Sequence, residues 1–258
     1  MAHDRLSLEG RVAVVIGGTT GIGRTLSLGL AEAGADVVAS SRREVEVEST
    51  AAELEQRGRR TLRATCDVLD RASLVRLRDQ ALAAFGKIDI LVNCAGRTKK
   101  APFLEVTEED WNGVLETNLT GMFRACQVFG PPMLDRGYGR IINIASLSTY
   151  RALAFTAAYN ASKAGVASLT QTLAVEWGPR GVCTNAIAPG VFRTALNSAL
   201  LDGTERGKEF LLRTPMRRFG KLEELVGAAI FLASEAASFV NGEVLVVDGG
   251  FLASAVNQ

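Results

Sequence analysis

Short apolar runs alternate with longer segments of helical period along nearly the whole chain. The strands predicted from the short runs are Val12–Ile16, Asp36–Ser40, Thr61–Thr65, Ile88–Asn93, Arg140–Ala145, Val182–Ile187 and Glu243–Val247. The helices predicted between them are Ile22–Ala33, Val45–Gln56, Ala72–Ala84, Glu108–Phe129, Ala157–Trp177 and Leu222–Ser234. Continuously apolar strands need helices on both faces, and crossover helices join parallel neighbours. The pattern therefore predicts an α/β fold with a doubly wound, seven-stranded parallel sheet.

The chain of 258 residues contains no Pro- or Ser-rich linker that would divide it, and we expect one domain over residues 1–258. A long irregular stretch, from about residue 190 to 215, separates the sixth predicted strand from the last predicted helix. Irregular connections of this length are uncommon unless they are functional. We therefore expect this stretch to form a substrate loop or lid over a site.

The composition excludes several classes of function. Lys plus Arg number 29 against 28 Asp plus Glu, which leaves no broad basic field for binding nucleic acid. Four cysteines, Cys66, Cys94, Cys126 and Cys183, form no C-x-x-C pair and indicate reduced thiols in the cytoplasm. No apolar run approaches the roughly 18 residues that span a membrane. The single histidine, His3, leaves little for a Ser-His-Asp triad or a metal site.

A glycine-rich turn follows the first predicted strand and leads into the first predicted helix. Its glycines are Gly17, Gly18, Gly21 and Gly23, in the spacing G-x-x-x-G-x-G. Without side chains, such a loop lets the backbone approach a pyrophosphate and directs the following helix N-terminus towards it. The pattern favours a dinucleotide site, with a purely structural turn as the alternative in a chain of 26 glycines.

The end of the second predicted strand determines which dinucleotide fits. A carboxylate there accepts the ribose hydroxyl bonds of NAD, but the sequence is Ser40-Ser41-Arg42-Arg43. Arg42 and the Ser41 hydroxyl could bind a 2′-phosphate, so we expect NADP to be preferred. Two alternatives stay open: the arginines are solvated surface charges, or the chain uses both NAD and NADP.

Tyr159 and Lys163 lie one helical turn apart at the start of a predicted helix. Residues i and i+4 share a helix face, so their side chains can meet. A nearby ammonium favours the phenolate, typically lowering a tyrosine pKa by about 1 to 3 units towards the range useful for acid–base catalysis. The pair is suggestive because this spacing arises by chance in roughly 7% of chains with this composition.

With these motifs in order, the chain resembles the short-chain dehydrogenase/reductase family along essentially its whole length. The family's cofactor loop matches Gly17, Gly21 and Gly23, and its Tyr-x-x-x-Lys motif matches Tyr159 and Lys163. The other matching positions are Asn93, Ala95 and Gly96 of the Asn-x-Ala-Gly motif, Ser146, Asn118, and Pro189-Gly190 with Thr194. Taken singly, such residues also serve as caps, turn formers or buried polar groups.

The resemblance implies a Rossmann fold and hydride transfer between nicotinamide and a ketone or secondary alcohol. Tyr159 would be the acid–base, and Lys163 would lower its pKa and hold the nicotinamide ribose. Ser146 would bind the substrate oxygen, and Asn118 would order a water that links Lys163 to solvent. The implied cofactor contacts are Gly17, Thr19, Gly21, Ile22, Gly23, Ser41, Arg42, Asp67, Val68, Asn93, Ala95, Gly96, Tyr159, Lys163, Pro189, Gly190, Val191 and Thr194.

The sequence departs from the family pattern at two positions. Ile16 stands where a threonine usually precedes the glycine loop, and Cys94 stands where a second asparagine is often found. The missing threonine hydroxyl removes one hydrogen bond, typically worth about 0.5 to 1.5 kcal/mol. We expect a modest loss of cofactor affinity and no loss of activity.

The substrate is less constrained than the reaction. Candidates for the substrate side are Leu147, Leu153, Phe155, Val191, Phe192, Leu196 and Leu200, with Arg97, Arg151 and Arg193 at the rim. These residues fit a mixed or anionic substrate, or they simply pack the lid and form solvated corners. The C-terminal Val247-Asp-Gly-Gly-Phe251 is similar to sugar-acid and polyol dehydrogenases such as gluconate 5-dehydrogenases.

Two alternative functions stay open. In 3-oxoacyl-carrier-protein reductases, two arginines dock the acidic carrier; Arg124 matches the first, but Val175 occupies the second position. A noncatalytic NADP-binding sensor is possible on the same fold, although the intact catalytic set opposes it. By resemblance, helices Glu108–Phe129 and Ala157–Trp177 predict a homotetramer or homodimer.

Overall fold

The computed structural model describes residues 3–194 and 198–255. Its parallel sheet is ordered β2-β1-β3-β4-β5-β6. The strands are β1 Val12–Ile16, β2 Asp36–Ser40, β3 Ile90–Asn93, β4 Gly139–Ile144, β5 Val182–Pro189 and β6 Val244–Val247. The order turns around β1, which pairs with β2 on one side and with β3 on the other. A doubly wound sheet of this kind opens a crevice at the carboxyl ends of the strands at the turning point.

Helices connect the strands and cover both faces of the sheet. They are α1 Gly21–Glu32, α2 Glu44–Gln56, α3 Arg71–Phe85, α4 Glu108–Leu115, α5 Gly121–Arg136, α6 Ala157–Trp177, α7 Ser198–Leu201, α8 Glu205–Arg213 and α9 Val226–Ala233. A five-residue π-helical segment, Glu116–Thr120, joins α4 to α5. Isolated π turns of this kind widen a helix locally and are frequent at functional sites.

The two faces of the sheet form two separate cores because side chains alternate along each strand. Val14 and Ile16 pack with buried residues of α3, α5 and α6. Ala13 and Val15 pack on the opposite face with α1 and α9. All five residues of β1 are buried, which agrees with the continuously apolar runs in the sequence.

The prediction of seven strands is not confirmed, because segment 61–65 forms no strand. Two backbone hydrogen bonds flank it beside β2, from Val37 N to Arg60 O at 3.2 Å and from Cys66 N to Ser41 O at 2.9 Å. Between these bonds the chain does not form a regular ladder with β2, and Arg63 and Thr65 are exposed. The segment therefore runs along the sheet edge in irregular conformation.

Two predicted helices also differ in detail. The predicted helix Glu108–Phe129 is interrupted by the π segment and then continues to Arg136, with Pro131 and Pro132 inside it. The predicted helix Leu222–Ser234 begins with a 3₁₀ turn, Leu222–Leu225, before α9. No helix in the described ranges is both long enough and apolar enough to span a bilayer.

Candidate active site

The glycine loop between β1 and α1 is packed so tightly that Gly17, Gly18 and Gly23 cannot carry a side chain. A Cβ on Gly23 would lie 1.9 Å from the Gly17 carbonyl oxygen, and one on Gly17 would lie 2.6 Å from the Ala95 nitrogen. Gly17 and Gly21 have positive φ angles of 79° and 49°, and a Cβ on Gly21 would have no neighbour within 4 Å. The loop thus presents bare backbone at the start of α1, as phosphate binding requires.

The Ser27 hydroxyl holds this loop from the α1 side. It donates within hydrogen-bond distance of both the Gly18 and the Gly23 carbonyl oxygens, each at 3.0 Å. The hydroxyl of Thr19 donates to Ser41 Oγ at 2.8 Å and so joins the loop to the end of β2. Thr19 and Ser41, both predicted to contact the cofactor, are therefore brought together, whereas Ile22 is half-buried at the start of α1 and packs against the core.

The two arginines after β2 have different electrostatic surroundings. Arg43 pairs with Glu46, with Nε 2.7 Å from the carboxylate. Arg42 is exposed and has no ion-pair partner in the described part of the chain. Its guanidinium thus stands beside Ser41 without a neutralising carboxylate, so it is available for an anion.

A cavity borders the carboxyl ends of β1 and β3. Its lining residues are Ile16, Val68, Asn93, Ala95, Thr117 and Met122. Asn93 donates through Nδ2 to Asn143 Oδ1 at 2.9 Å, but its own Oδ1 is buried without a partner. An unpaired buried acceptor is costly, and a bound ligand or water would relieve it. Asp67 lies next to Val68 and accepts a bond from Leu69 N at 3.0 Å.

Asn118 lies in the π segment and is fully buried. Its Oδ1 accepts from Arg97 N at 2.8 Å, and its Nδ2 donates to Arg97 O at 2.9 Å and to Ser162 Oγ at 3.1 Å. The side chain thereby ties the loop that follows Gly96 to helix α6. Both amide hydrogens are used in this brace, so any water relay at this position would have to use other atoms.

Three side chains predicted to be catalytic converge where β4 ends and α6 begins. Ser146 follows β4, and Tyr159 and Lys163 lie in the first turns of α6. The Lys163 ammonium donates to the Ile144 carbonyl oxygen at 2.5 Å and lies 5.6 Å from the centre of the Tyr159 ring. Lys163 is only 5% exposed, and burial lowers its pKa from 10.5 to about 8.

The pKa of Tyr159 differs from the expectation. Burial raises the pKa of this phenol above 10.0, whereas a hydrogen bond with the Ser146 hydroxyl acts in the lowering direction. The expected lowering by Lys163 is not found, and desolvation outweighs the hydrogen bond with Ser146. Ser146, in contrast, is within reach of the phenol and also accepts a hydrogen bond from Ser148 N at 3.1 Å.

The segment after β5 lies beside the end of β6. Pro189 is the last residue of β5, and a Cβ on Gly190 would lie 2.6 Å from Asp248 Cα. Val191 accepts a backbone bond from Gly220 N at 3.0 Å, and Thr194 is half-buried. This close approach places the Pro-Gly segment at the carboxyl edge of the sheet, next to the strand ends that carry the other predicted site residues.

The predicted substrate-side residues fall into different environments. Leu147 and Phe192 are buried, Leu153 and Val191 are half-buried, and Phe155 is 57% exposed with a positive φ of 66°. Leu196 lies outside the described residues, as does the side chain of Leu200. At the rim, Arg97 and Arg151 are exposed, whereas Arg193 pairs with Asp202 at 2.6 Å.

Within the described ranges, no group of three or more His, Cys, Asp or Glu side chains is placed to hold a metal ion. Three contributors to the site were missed by the sequence analysis: the Ile144 carbonyl, the Arg97 backbone and Ser162. Only Ser162 had a signal in the sequence, since it lies inside the Tyr159–Lys163 motif. The Ile144 carbonyl and the Arg97 backbone could not be predicted from the sequence, because every residue has these groups.

Comparisons with known proteins agree with this geometry. A family model described as enoyl-(acyl carrier protein) reductase matches residues 17–252. Gluconate 5-dehydrogenase of Gluconobacter oxydans (strain 621H) is 40% identical over 255 residues, which cover 98% of this chain and 100% of that protein. The chain belongs to the short-chain dehydrogenase/reductase family.

Other members of the short-chain dehydrogenase/reductase family are equally similar. D-threitol dehydrogenase of Mycolicibacterium smegmatis (strain ATCC 700084 / mc(2)155) is 42% identical over 244 residues, covering 95% of this chain and 94% of that protein. The crystal structure of a gluconate 5-dehydrogenase from Burkholderia cenocepacia J2315 in complex with NADP and tartrate superposes with a TM-score of 0.95 at 41% identity. That match covers 99% of this chain and 100% of the other.

Proposed function

We propose that this chain is an NADP-dependent oxidoreductase that interconverts a ketone and a secondary alcohol on a sugar acid or polyol. The observation that carries the proposal is the convergence of Ser146, Tyr159 and Lys163 at the carboxyl edge of the sheet. A phenol, a hydroxyl and a buried ammonium in this arrangement can exchange one proton with a substrate oxygen while holding that oxygen in place.

The residues present fit NADP. The bare backbone of the loop from Gly17 to Gly23 suits the pyrophosphate, and the unpaired guanidinium of Arg42 beside Ser41 suits a 2′-phosphate. The unpartnered Oδ1 of Asn93 and the cavity that contains Val68 suit the adenosine side. Lys163 and the Pro189-Gly190 segment would hold the nicotinamide end. When bound, the cofactor supplies or accepts the hydride.

Side chains of this protein would transfer the proton. In the reducing direction, Tyr159 Oη gives its proton to the substrate oxygen, and Ser146 Oγ donates a hydrogen bond to the same atom. Lys163 Nζ stabilises the resulting phenolate from its position on the Ile144 carbonyl. Because the pKa of Lys163 is lowered to about 8, this ammonium can itself exchange a proton near neutral pH. In the oxidising direction, the phenolate of Tyr159 removes the alcohol proton.

The substrate class is supported by the relatives. Two of the relatives are gluconate 5-dehydrogenases, and the solved structure of one of them holds NADP and tartrate. A third relative is a D-threitol dehydrogenase. These substrates share adjacent hydroxyl groups on a short carbon chain. We therefore propose that a sugar acid or polyol of this size is the substrate of this chain.

Reduction of a carrier-bound 3-oxoacyl group is less well supported. Arg124, the one arginine that matches the carrier-docking pair, forms an ion pair with Glu116 at 2.5 Å. Val175, at the second position, is 77% exposed and uncharged. This face thus lacks the unpaired positive charge that would attract an acidic carrier. The complete set of catalytic side chains argues against the sensor alternative.

We propose that residues 1–258 form one NAD(P)-binding domain and that α7 and α8 cover its substrate side. Homotetramer or homodimer formation is supported by large apolar side chains on the surface: Phe123 on α5 is 42% exposed and Val175 on α6 is 77% exposed. All four cysteines are free, which supports a reducing compartment, the cytoplasm, as the place of action.

The experiment that tests the function compares the wild type with Tyr159→Phe. Binding of NADPH and NADH is followed by fluorescence, and turnover is measured on 5-keto-D-gluconate, D-gluconate and D-threitol. We expect Tyr159→Phe to bind NADPH normally and to lose activity by about 10²- to 10⁴-fold. The control is Tyr138→Phe at the other end of β4, which should retain activity. Unchanged turnover in Tyr159→Phe would refute the mechanism, and binding without turnover by the wild type would favour a sensor.

A further inference from the structure

One segment connects two of the predicted catalytic side chains. It covers residues 147–156, begins directly after Ser146 and leads into α6, whose first turn carries Tyr159. The Thr149 hydroxyl donates to the Lys163 carbonyl oxygen at 3.0 Å and so fixes the first half of this 147–156 segment to α6. Because the segment starts and ends at these side chains, it borders the space that a substrate would occupy beside them.

The second half of the 147–156 segment is held by Asn160, the residue after Tyr159. Asn160 Nδ2 donates to the Leu153 carbonyl oxygen at 2.9 Å, and Leu153 N donates to Asn160 Oδ1 at 3.4 Å. The Thr156 hydroxyl lies within hydrogen-bond distance of both acceptors, at 2.9 Å from Leu153 O and 3.2 Å from Asn160 Oδ1. One side-chain amide thus pairs with both backbone polar groups of Leu153.

Phe155, in the same half of the segment, has an unusual backbone conformation. Its φ is 66°, which is rare for an aromatic residue and persists only where the surrounding structure holds it. Burial of the ring does not explain this conformation, because Phe155 is 57% exposed. Its carbonyl oxygen accepts a hydrogen bond from Ala101 N at 3.0 Å. The strained residue therefore joins the 147–156 segment to the loop after β3.

The loop after β3 returns to the same part of α6. Asn118 pairs with both backbone groups of Arg97, at 2.8 and 2.9 Å, and also donates to Ser162 Oγ at 3.1 Å. The Ser162 hydroxyl donates to the Tyr159 carbonyl oxygen at 2.7 Å. Two asparagine amides, those of Asn118 and Asn160, thus hold one segment each against the first turns of α6, and the two segments are also bonded to each other.

We propose that Asn160 is a positioning residue that fixes the 147–156 segment beside Tyr159 and thereby determines how tightly the substrate binds. The inference rests on the proposed function and extends it to a residue outside the predicted catalytic set. Asn160 acts through the backbone of Leu153 and does not itself touch the reacting atoms. Its loss should loosen the wall of the substrate site and leave the groups that transfer the proton in place.

The chain offers a matched control at the other end of α6. Asn241 Nδ2 donates to the Ala174 carbonyl oxygen at 2.9 Å, and its Oδ1 accepts from Thr184 N at 2.9 Å. Asn241 therefore makes the same kind of paired backbone contact as Asn160, in the last turns of the helix instead of the first. A purely structural role would make the two asparagines equivalent.

The experiment compares the wild type with Asn160→Ala, Thr156→Val and the control Asn241→Ala. KM and kcat are measured on whichever of 5-keto-D-gluconate, D-gluconate and D-threitol the wild type turns over fastest. NADPH binding is followed by fluorescence, and thermal midpoints are recorded. Hydrogen–deuterium exchange is measured by mass spectrometry on the peptides that contain Ala101 and Leu153, because local opening exposes their amides.

We expect Asn160→Ala to raise KM about ten-fold while kcat and the NADPH dissociation constant change less than about two-fold. Exchange in the peptides with Ala101 and Leu153 should become faster. Thr156→Val removes only the shared hydroxyl and keeps the shape of the side chain, so KM should rise about three-fold. Asn241→Ala should lower the thermal midpoint as Asn160→Ala does, but it should change neither KM nor the exchange of these peptides.

The other outcomes separate this inference from the proposed function. If Asn160→Ala lowers the thermal midpoint and leaves KM unchanged, or if Asn241→Ala raises KM equally, the role of Asn160 is only structural and the function stands. Should Asn160→Ala fail to fold, an unchanged KM in Thr156→Val refutes the inference. If the wild type turns over none of the three compounds, the proposed substrate class and this inference are both overturned.

Discussion

Lys163 donates to the carbonyl oxygen of Ile144 at 2.5 Å, which joins the first turns of α6 to the end of β4. This bond positions the ammonium beneath the Tyr159 ring, although burial disfavours its charge. A buried cation held by a backbone carbonyl is a costly arrangement for folding alone. The position of Lys163 at the carboxyl edge of the sheet fits a catalytic role, and its cost can be measured as a change in the free energy of unfolding.

Replacing Lys163 by Met should raise stability at neutral pH. The pKa of Lys163 is about 8 in the folded chain and 10.5 as its ordinary value, so the unfolded chain binds more protons between these limits. Wild-type stability therefore gains from this group as pH rises from 8 to 10.5, by at most about 3 kcal/mol. The stability advantage of Lys163→Met over the wild type is reduced by the lost hydrogen bond to Ile144. This advantage should shrink as the pH rises over the same range.

Urea unfolding at several pH values between about 7 and 10 checks this prediction. Lys208→Met, an exposed lysine on α8, serves as the control and should show a difference that does not vary with pH in this way. A pH-independent difference for Lys163→Met would contradict the burial of a charged ammonium.

Removal of the Ser146 hydroxyl should shift the pH profile of alcohol oxidation. This reaction needs the Tyr159 phenolate, which is present only above the pKa of the phenol. Because the hydrogen bond from Ser146 acts to lower that pKa, Ser146→Ala should move the alkaline rise in rate to higher pH. The loss of a substrate-oxygen donor should also lower kcat by about 10²- to 10³-fold.

Initial rates of D-gluconate oxidation across the alkaline range measure both effects. Ser148→Ala is the matched control, since Ser148 is buried nearby and its hydroxyl has no partner. If Ser146→Ala lowers the rate but leaves the profile in place, Ser146 does not tune the phenol.

Arg42→Gln should change cofactor preference. Arg42 is the unpaired arginine after β2, so its loss should weaken NADPH binding by roughly ten-fold or more and leave NADH binding nearly unchanged. Arg43→Gln provides the control because Arg43 already pairs with Glu46. Fluorescence titration with both cofactors is the measurement, and equal effects of the two substitutions would argue against a specific 2′-phosphate contact.

Gly23→Ala should disrupt the glycine loop. Its new Cβ would lie 1.9 Å from the Gly17 carbonyl oxygen, a backbone atom that cannot move without opening the loop. We expect loss of NADPH binding and a lower thermal midpoint. Gly227→Ala in α9 is the control, because a Cβ there has no neighbour within 4 Å, and it should be neutral or stabilising by up to about 1 kcal/mol. Normal NADPH affinity in Gly23→Ala would refute the close packing.

Much of the architecture could be predicted because its signals are local. β1 and β2 begin and end at the predicted residues, and α6 spans Ala157–Trp177 as expected. In each case, hydrophobic period and flanking glycines act within a few residues. The prediction of a strand at residues 61–65 was wrong because strand formation is not a local property. The composition of this segment suits a strand, but a strand exists only where a neighbouring strand pairs with it in register.

The sequence by itself determined the glycine cradle, the Arg42 position and the Tyr159–Lys163 pair, because each depends on spacing within one turn, strand end or helix. Only the tertiary structure decided that burial raises the pKa of Tyr159 and that Asn118 braces Arg97 and Ser162. Desolvation and contacts between distant segments depend on how the whole chain packs, and no local pattern encodes them.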